Sequence, residues 1–84
     1  MNMNINIFKI DLDKIYSEFW YQTYYKKNKI IFLMSQKTIN FIKDQMMNSI
    51  YFTKNKDGYY QLFFRNIAIA NYLSYGDIKI VNEC

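Results

Sequence analysis

The stretch Ile50 to Phe64, IYFTKNKDGYYQLFF, sets two runs rich in aromatic and β-branched residues on either side of KNKDG. Such runs read as strands, and Asp57-Gly58 between them is a strong hairpin signal because a type I′ turn needs positive φ at both central positions. A two-residue loop there sets Phe52 opposite Phe63 and Tyr51 opposite Phe64. The second half of the chain therefore begins as antiparallel sheet, and the residues before it have to cover that sheet.

Upstream, two further strand patterns alternate with two helix patterns. Residues 2–7 alternate Asn2, Asn4 and Asn6 with Met3, Ile5 and Ile7, the two-residue period of a half-buried strand. From Leu12 the period changes: Leu12, Ile15, Tyr16, Phe19 and Trp20 stand at helical spacing, with Asp11 or Asp13 as N-cap, which predicts a helix over 12–25. The lysine cluster at 26–29 ends it. Residues 29–34, KIIFLM, form a short continuous apolar run that suits a strand covered on both faces. Ser35 then caps a second helix reaching about residue 48, with Ile39, Ile42, Met46 and Ile50 on one stripe.

Downstream, Ile67 to Ala70 alternates Ile with Ala, and Ile78 to Val81 alternates after the turn residues 74–77. Both read as strands. A competing pattern caps a helix with Asn66 and closes it with Gly76 as a left-handed residue. The chain lacks proline, has two glycines and contains no Ser/Gly-rich stretch, so residues 1–84 read as one domain. The expected fold class is α+β: two helices packed on one face of a mainly antiparallel sheet, in the order β-α-β-α-β-β-β-β.

Composition bounds the function. At 51 % hydrophobic and 20 % aromatic the chain is too apolar for a disordered protein. Folding at this length buries only roughly 60 to 65 % of the unfolded surface, so excess apolar side chains favour a homodimer or another partner-bound state. The net charge of +4 is concentrated in residues 26–65, with eight basic residues against two acids. That segment suits a phosphate backbone or an acidic protein surface, although Ile, Lys, Asn and Tyr are also the residues that AT-rich codons supply. One cysteine, Cys84, and no histidine argue against a disulfide framework and a Cys/His metal site; neither a metal nor another cofactor is expected. No leader-like segment or membrane-length apolar run is present, and the expected setting is the cytoplasm.

Enzymatic chemistry is not expected. Asp11 and Asp13 stand at a helix start, Asp57 and Asp77 in turns, and Glu18 and Asp44 on polar helix faces. The usual general base is missing with histidine, and no glycine-rich loop is present to cradle a phosphate.

The aromatic and basic stretch EFWYQTYYKKNK, Glu18 to Lys29, is the closest approach to a functional signature. The helical stripe assigns Phe19 and Trp20 to the core and leaves Tyr24 on its edge. Tyr21 and Tyr25 lie on the opposite face, where the helix itself gives them nothing to pack on. Three readings stay open for that pair: plain surface, anchors in a protein interface, or stacking platforms for nucleic-acid bases. Phe41 is an off-face aromatic of the second helix and joins Tyr21 and Tyr25 as a candidate interface residue. For nucleic acid, the candidates are Lys26, Lys27, Lys29, Lys54, Lys56 and Arg65, with Tyr59 as a stacking ring. Tyr59, Gln61 and Phe63 alternate onto one strand face, as a sheet reader of RNA would require.

The succession of strand, Ser-capped helix, hairpin and Gly-turned terminal strand over residues 29–82 is similar to that of small proteins of phages and mobile elements. That resemblance rests on element order and implies an inhibitor or accessory factor that acts by binding; anti-CRISPR proteins are one such class. Many of those mimic nucleic acid and are acidic, whereas this chain is basic. The leading expectation is a non-enzymatic protein-binding module acting through an exposed aromatic patch, and the alternative is a basic nucleic-acid-binding protein.

Overall fold

The computed structural model describes residues 3–6, 12–46 and 49–83. The described chain runs β1 (Met3–Asn6), α1 (Leu12–Trp20) with a π-helical continuation (Tyr21–Tyr25), β2 (Ile30–Met34), α2 (Gln36–Gln45), β3 (Phe52–Lys54), β4 (Tyr60–Leu62), β5 (Arg65–Ile69) and β6 (Asp77–Asn82). This is an α+β fold in the expected order. Residues 67–69 are strand, which settles the ambiguity against a helix there.

The six strands form one sheet in the order β1-β6-β2-β5-β4-β3. β2 and β5 run parallel and every other neighbouring pair is antiparallel. β2 lies at the centre, and its alternation decides where the core sits. Ile30, Phe32 and Met34 are buried, whereas Ile31 and Leu33 are half-buried on the other face, opposite Val81 and Lys79 of β6. The continuous run IIFLM therefore has one covered face and not the two that its hydrophobicity suggested. Ile15 and Phe19 of α1 and Ile39 and Ile42 of α2 join the buried cluster formed by Phe32, Leu62, Ile67, Ile78 and Ile80.

Ser35 caps α2 as expected: its Oγ accepts from the Thr38 backbone N–H at 3.3 Å. Thr38 Oγ1 lies 3.0 Å from Ser35 Oγ and accepts from the backbone N–H of buried Gly76, also at 3.0 Å, so the cap is tied to the turn before β6. Met46 closes α2 and is buried, but Ile50 is 67 % exposed and lies beyond the helix, in a turn. The stripe therefore stops at Met46. Asp13 lies within the first turn of α1 and not at its cap, where it faces the positive end of the helix. Asn2, Ile7, Asp11, Asn48 and Cys84, which the sequence reading includes, lie outside the described residues.

The hairpin forms one residue out of the expected register. Phe52 pairs with Leu62, Thr53 with Gln61 and Lys54 with Tyr60. The reason lies in Asn55. Its side-chain oxygen accepts from the backbone N–H groups of Asp57 and Tyr59, its carbonyl accepts from Gly58, and its own N–H donates to the Tyr59 carbonyl. Gly58, at φ +90°, takes the left-handed position of a three-residue loop with a bulge, a common alternative to the two-residue turn.

The two-residue turn with two positive φ values comes next, at Phe63 (φ 51°) and Phe64 (φ 65°), between the paired residues Leu62 and Arg65. Positive φ at two consecutive bulky residues is rare, costing about 1 to 2 kcal/mol per residue. Phe63 recovers that cost by burial. It is 6 % exposed, and its ring lies 5.1 Å from Tyr16, 5.4 Å from Phe19, 5.9 Å from Tyr51 and 6.5 Å from Phe32. Its N–H also donates to the Tyr51 carbonyl at 2.8 Å.

Candidate aromatic groove

The turn at 63–64 sets the Phe63 ring against Tyr16 and Phe19 of α1, and several rings around it stay in solvent. Phe64 points outward at 61 % exposure, touched edge-on by Tyr51 at 6.4 Å. Across from it, Tyr16 and Tyr24 project from α1 and its continuation. Tyr16, Tyr24, Tyr51 and Phe64, with buried Phe19 and Phe63, wall a small slot of about 170 Å³ that Arg65 closes on one side. Trp20 extends the aromatic surface by stacking on Tyr24 at 5.8 Å.

The sequence reading assigned Tyr16 and Trp20 to the core and Tyr24 to its edge; the structure corrects this. Tyr16 is 45 %, Trp20 48 % and Tyr24 61 % exposed. The cause is that the sheet covers only the line through Ile15 and Phe19. Residues one position later on each turn flank that line: Tyr16 lines the slot and Trp20 stacks on Tyr24. The π-helical turn adds to the effect: Lys26 donates to the Tyr21 carbonyl five residues back at 2.9 Å, and Thr23 Oγ1 donates to the Phe19 carbonyl at 2.7 Å. π turns of this kind interrupt the α spacing and occur often at functional sites. Gln22 is buried by the widened turn. Its side-chain oxygen accepts from Asn28 Nδ2 at 2.9 Å, and its carbonyl accepts from the Asn28 N–H at 2.8 Å across Lys27, itself at φ 58°.

Two neighbouring depressions continue the slot. One shares Tyr16, Tyr51 and Phe63 with it and ends at Asp13, Gln45 and Ser49. The other shares Phe64 and Arg65 and is lined also by Lys29, Gln61, Asn66 and Glu83. Through these shared walls the three read as one groove, with Asp13 at one end and Lys29, Arg65 and Glu83 at the other.

Of the expected interface residues, Tyr21 and Tyr25 stack on one another at 5.3 Å, and Lys26 Nζ sits 5.7 Å from the Tyr21 ring centroid. They are 39 % and 67 % exposed. Phe41 is half-buried and meets Tyr75 edge-on at 5.7 Å, in the loop before β6. The cationic candidates go to separate places. Lys29 and Arg65 share one cleft. Lys54 joins Lys43 beside the Tyr60 ring, at 5.3 and 5.6 Å. Lys26 belongs to Tyr21, Lys27 to the turn after it, and Lys56 and Tyr59 to the exposed hairpin loop. The expected alternation of Tyr59, Gln61 and Phe63 on a strand face does not form, because the strand is Tyr60–Leu62 and Phe63 is buried in a turn.

Among the described residues no group of three or more carboxylate or thiol side chains is placed to hold a metal ion, and no helix is long and apolar enough to cross a membrane. Compared with protein-family models, curated proteins and solved structures, the chain matches none of them.

Proposed function

We propose that this chain is a small non-enzymatic binding module that recognises a protein partner through the aromatic groove, with the stacked pair Tyr21 and Tyr25 as a second exposed aromatic surface. The observation that carries the reading is the gathering of Tyr16, Tyr24, Tyr51 and Phe64 around one slot, each at least 45 % exposed. Exposed rings cost stability in water, and aromatic residues in a recessed site are the usual energetic centre of a protein interface. Phe64 adds a second argument, since its backbone holds an unfavourable conformation while its ring stays in solvent. Such strain persists where the surrounding structure enforces it, and it clusters at binding sites.

A nucleic-acid role would call for cations along one track beside the rings. Here Lys29 and Arg65 lie at one end of the groove and the other four candidates lie elsewhere. The phage or mobile-element inhibitor role follows the same logic: a factor of this size acts by occupying a surface of its target. Two double variants test the reading, Tyr24→Ser with Phe64→Ser and Tyr21→Ser with Tyr25→Ser, each checked for folding by circular dichroism. Affinity capture is expected to retain a stoichiometric protein on the parent chain, lose it with the first pair and weaken with the second. Light scattering separates a second copy of the chain, giving the mass of two chains, from a different protein. Capture that survives loss of Tyr24 and Phe64 would remove the groove from consideration.

A further inference from the structure

We infer that the groove takes an extended partner segment in which a large apolar side chain is flanked on one side by carboxylates, the carboxylates lying at the Arg65 end. This rests on the groove being a protein-binding site, and it specifies the partner's chemistry and the end of the groove that its charges occupy. The slot of about 170 Å³ is smaller than the roughly 300 to 1,000 Å³ of pockets that enclose small-molecule ligands. Its size and aromatic walls suit one side chain, such as Leu or Phe. Arg65 stands at the boundary between this apolar slot and the polar cleft beyond it, lining both.

The charges set which end the carboxylates take. Lys29 and Arg65 meet one carboxylate, Glu83, in the polar cleft, and among the described residues no ion pair holds either cation. At the other end Asp13 is the charged residue among those lining the depression. A partner carboxylate is attracted at the Arg65 end and repelled at the Asp13 end. The amides of Gln61 and Asn66 lie in the same cleft as the cations, already joined by a hydrogen bond of 2.8 Å that holds them in place. Nucleic acid is disfavoured because a phosphate chain would run its charge along the whole groove, toward Asp13.

Amide chemical shifts of the full ¹⁵N-labelled chain test this. The probes are the capped peptides acetyl-Leu-Phe-Asp-Glu-amide and acetyl-Leu-Phe-Lys-Lys-amide and a short oligothymidylate, each taken to about 5 mM, since tetrapeptides bind in the millimolar range. The acidic peptide is expected to move the amides of Tyr24, Tyr51 and residues 63–66. It should bind about tenfold more tightly than the lysine peptide at low salt, the 1.4 kcal/mol that a pair of rim ion pairs supplies. Arg65→Glu should reverse the preference, while the spectrum's dispersion confirms its fold. Equal binding of both peptides in the groove overturns the charge assignment and leaves the protein-binding reading standing. Oligothymidylate binding there, with neither peptide bound, overturns both. No shift with any probe overturns the inference.

Discussion

Replacing Phe63 and Phe64 one at a time with Gly separates what the turn does for stability from what it does for binding. Both positions have positive φ, so glycine relieves about 1 to 2 kcal/mol of backbone cost at each and adds the same chain entropy to the unfolded state. Those terms cancel in the comparison, leaving burial. Exposure is 6 % at Phe63 and 61 % at Phe64. That difference is roughly half of a phenylalanine's ~200 Å² of surface, and ~110 Å² at ~25 cal/mol per Å² is ~3 kcal/mol. A cavity among the Tyr16, Phe19, Phe32 and Tyr51 rings adds to the loss at Phe63. For Phe64→Gly alone, the ~80 Å² still buried contributes ~2 kcal/mol; with about 1 to 2 kcal/mol of backbone relief and about 0.5 to 1 kcal/mol of added chain entropy, the net loss is about 0.5 to 2 kcal/mol. Urea unfolding followed by circular dichroism measures both. The expected result is a loss of about 0.5 to 2 kcal/mol for Phe64→Gly and a loss larger by at least ~3 kcal/mol, up to failure to fold, for Phe63→Gly. A Phe64→Gly loss as large as that of Phe63→Gly would refute the argument, because Phe64 would then be part of the core and its exposure would need no functional reason.

Three further substitutions probe the parts that build the site. Gly58→Ala should cost about 1 to 2 kcal/mol by thermal unfolding, all of it backbone, because nothing lies within 4 Å of the added Cβ. Thr38→Val removes the acceptor for the Gly76 N–H and the partner of Ser35, and should cost about 1 to 3 kcal/mol with amide exchange accelerated at Gly76. Asn28→Ala deletes the donor to buried Gln22 and should cost about 1 to 3 kcal/mol, with Trp20 fluorescence reporting loosening of the π turn below the global midpoint.

The element order was legible because it rests on periodicity: Asn/Ile alternation at the start, Ile15 and Phe19 at helical spacing, Ser35 before an apolar stripe. The groove was not legible, for three local reasons. A helical wheel treats Tyr16 and Trp20 as equivalent to Ile15 and Phe19, and only the width of the sheet beneath decides which side of the stripe is covered. The π turn breaks the angular step used to place Tyr24. The Phe63-Phe64 turn has none of the Asn, Asp or Gly that announces positive φ, and the true turn signal at Asp57-Gly58 was one residue away from the register it set. Tyr21 and Tyr25, by contrast, were exposed where the wheel put them. The lysines were countable in the sequence, but their separation onto Tyr21, Tyr60 and the Arg65 cleft required the fold.

The most direct test of the account is selection from a random peptide library on the immobilised chain, with the Phe64→Ser variant as the counter-selection. The expected enrichment is one large apolar residue with Asp or Glu beside it, bound by the parent chain and lost on the variant. Enriched peptides that bind the variant as tightly as the parent would contradict it.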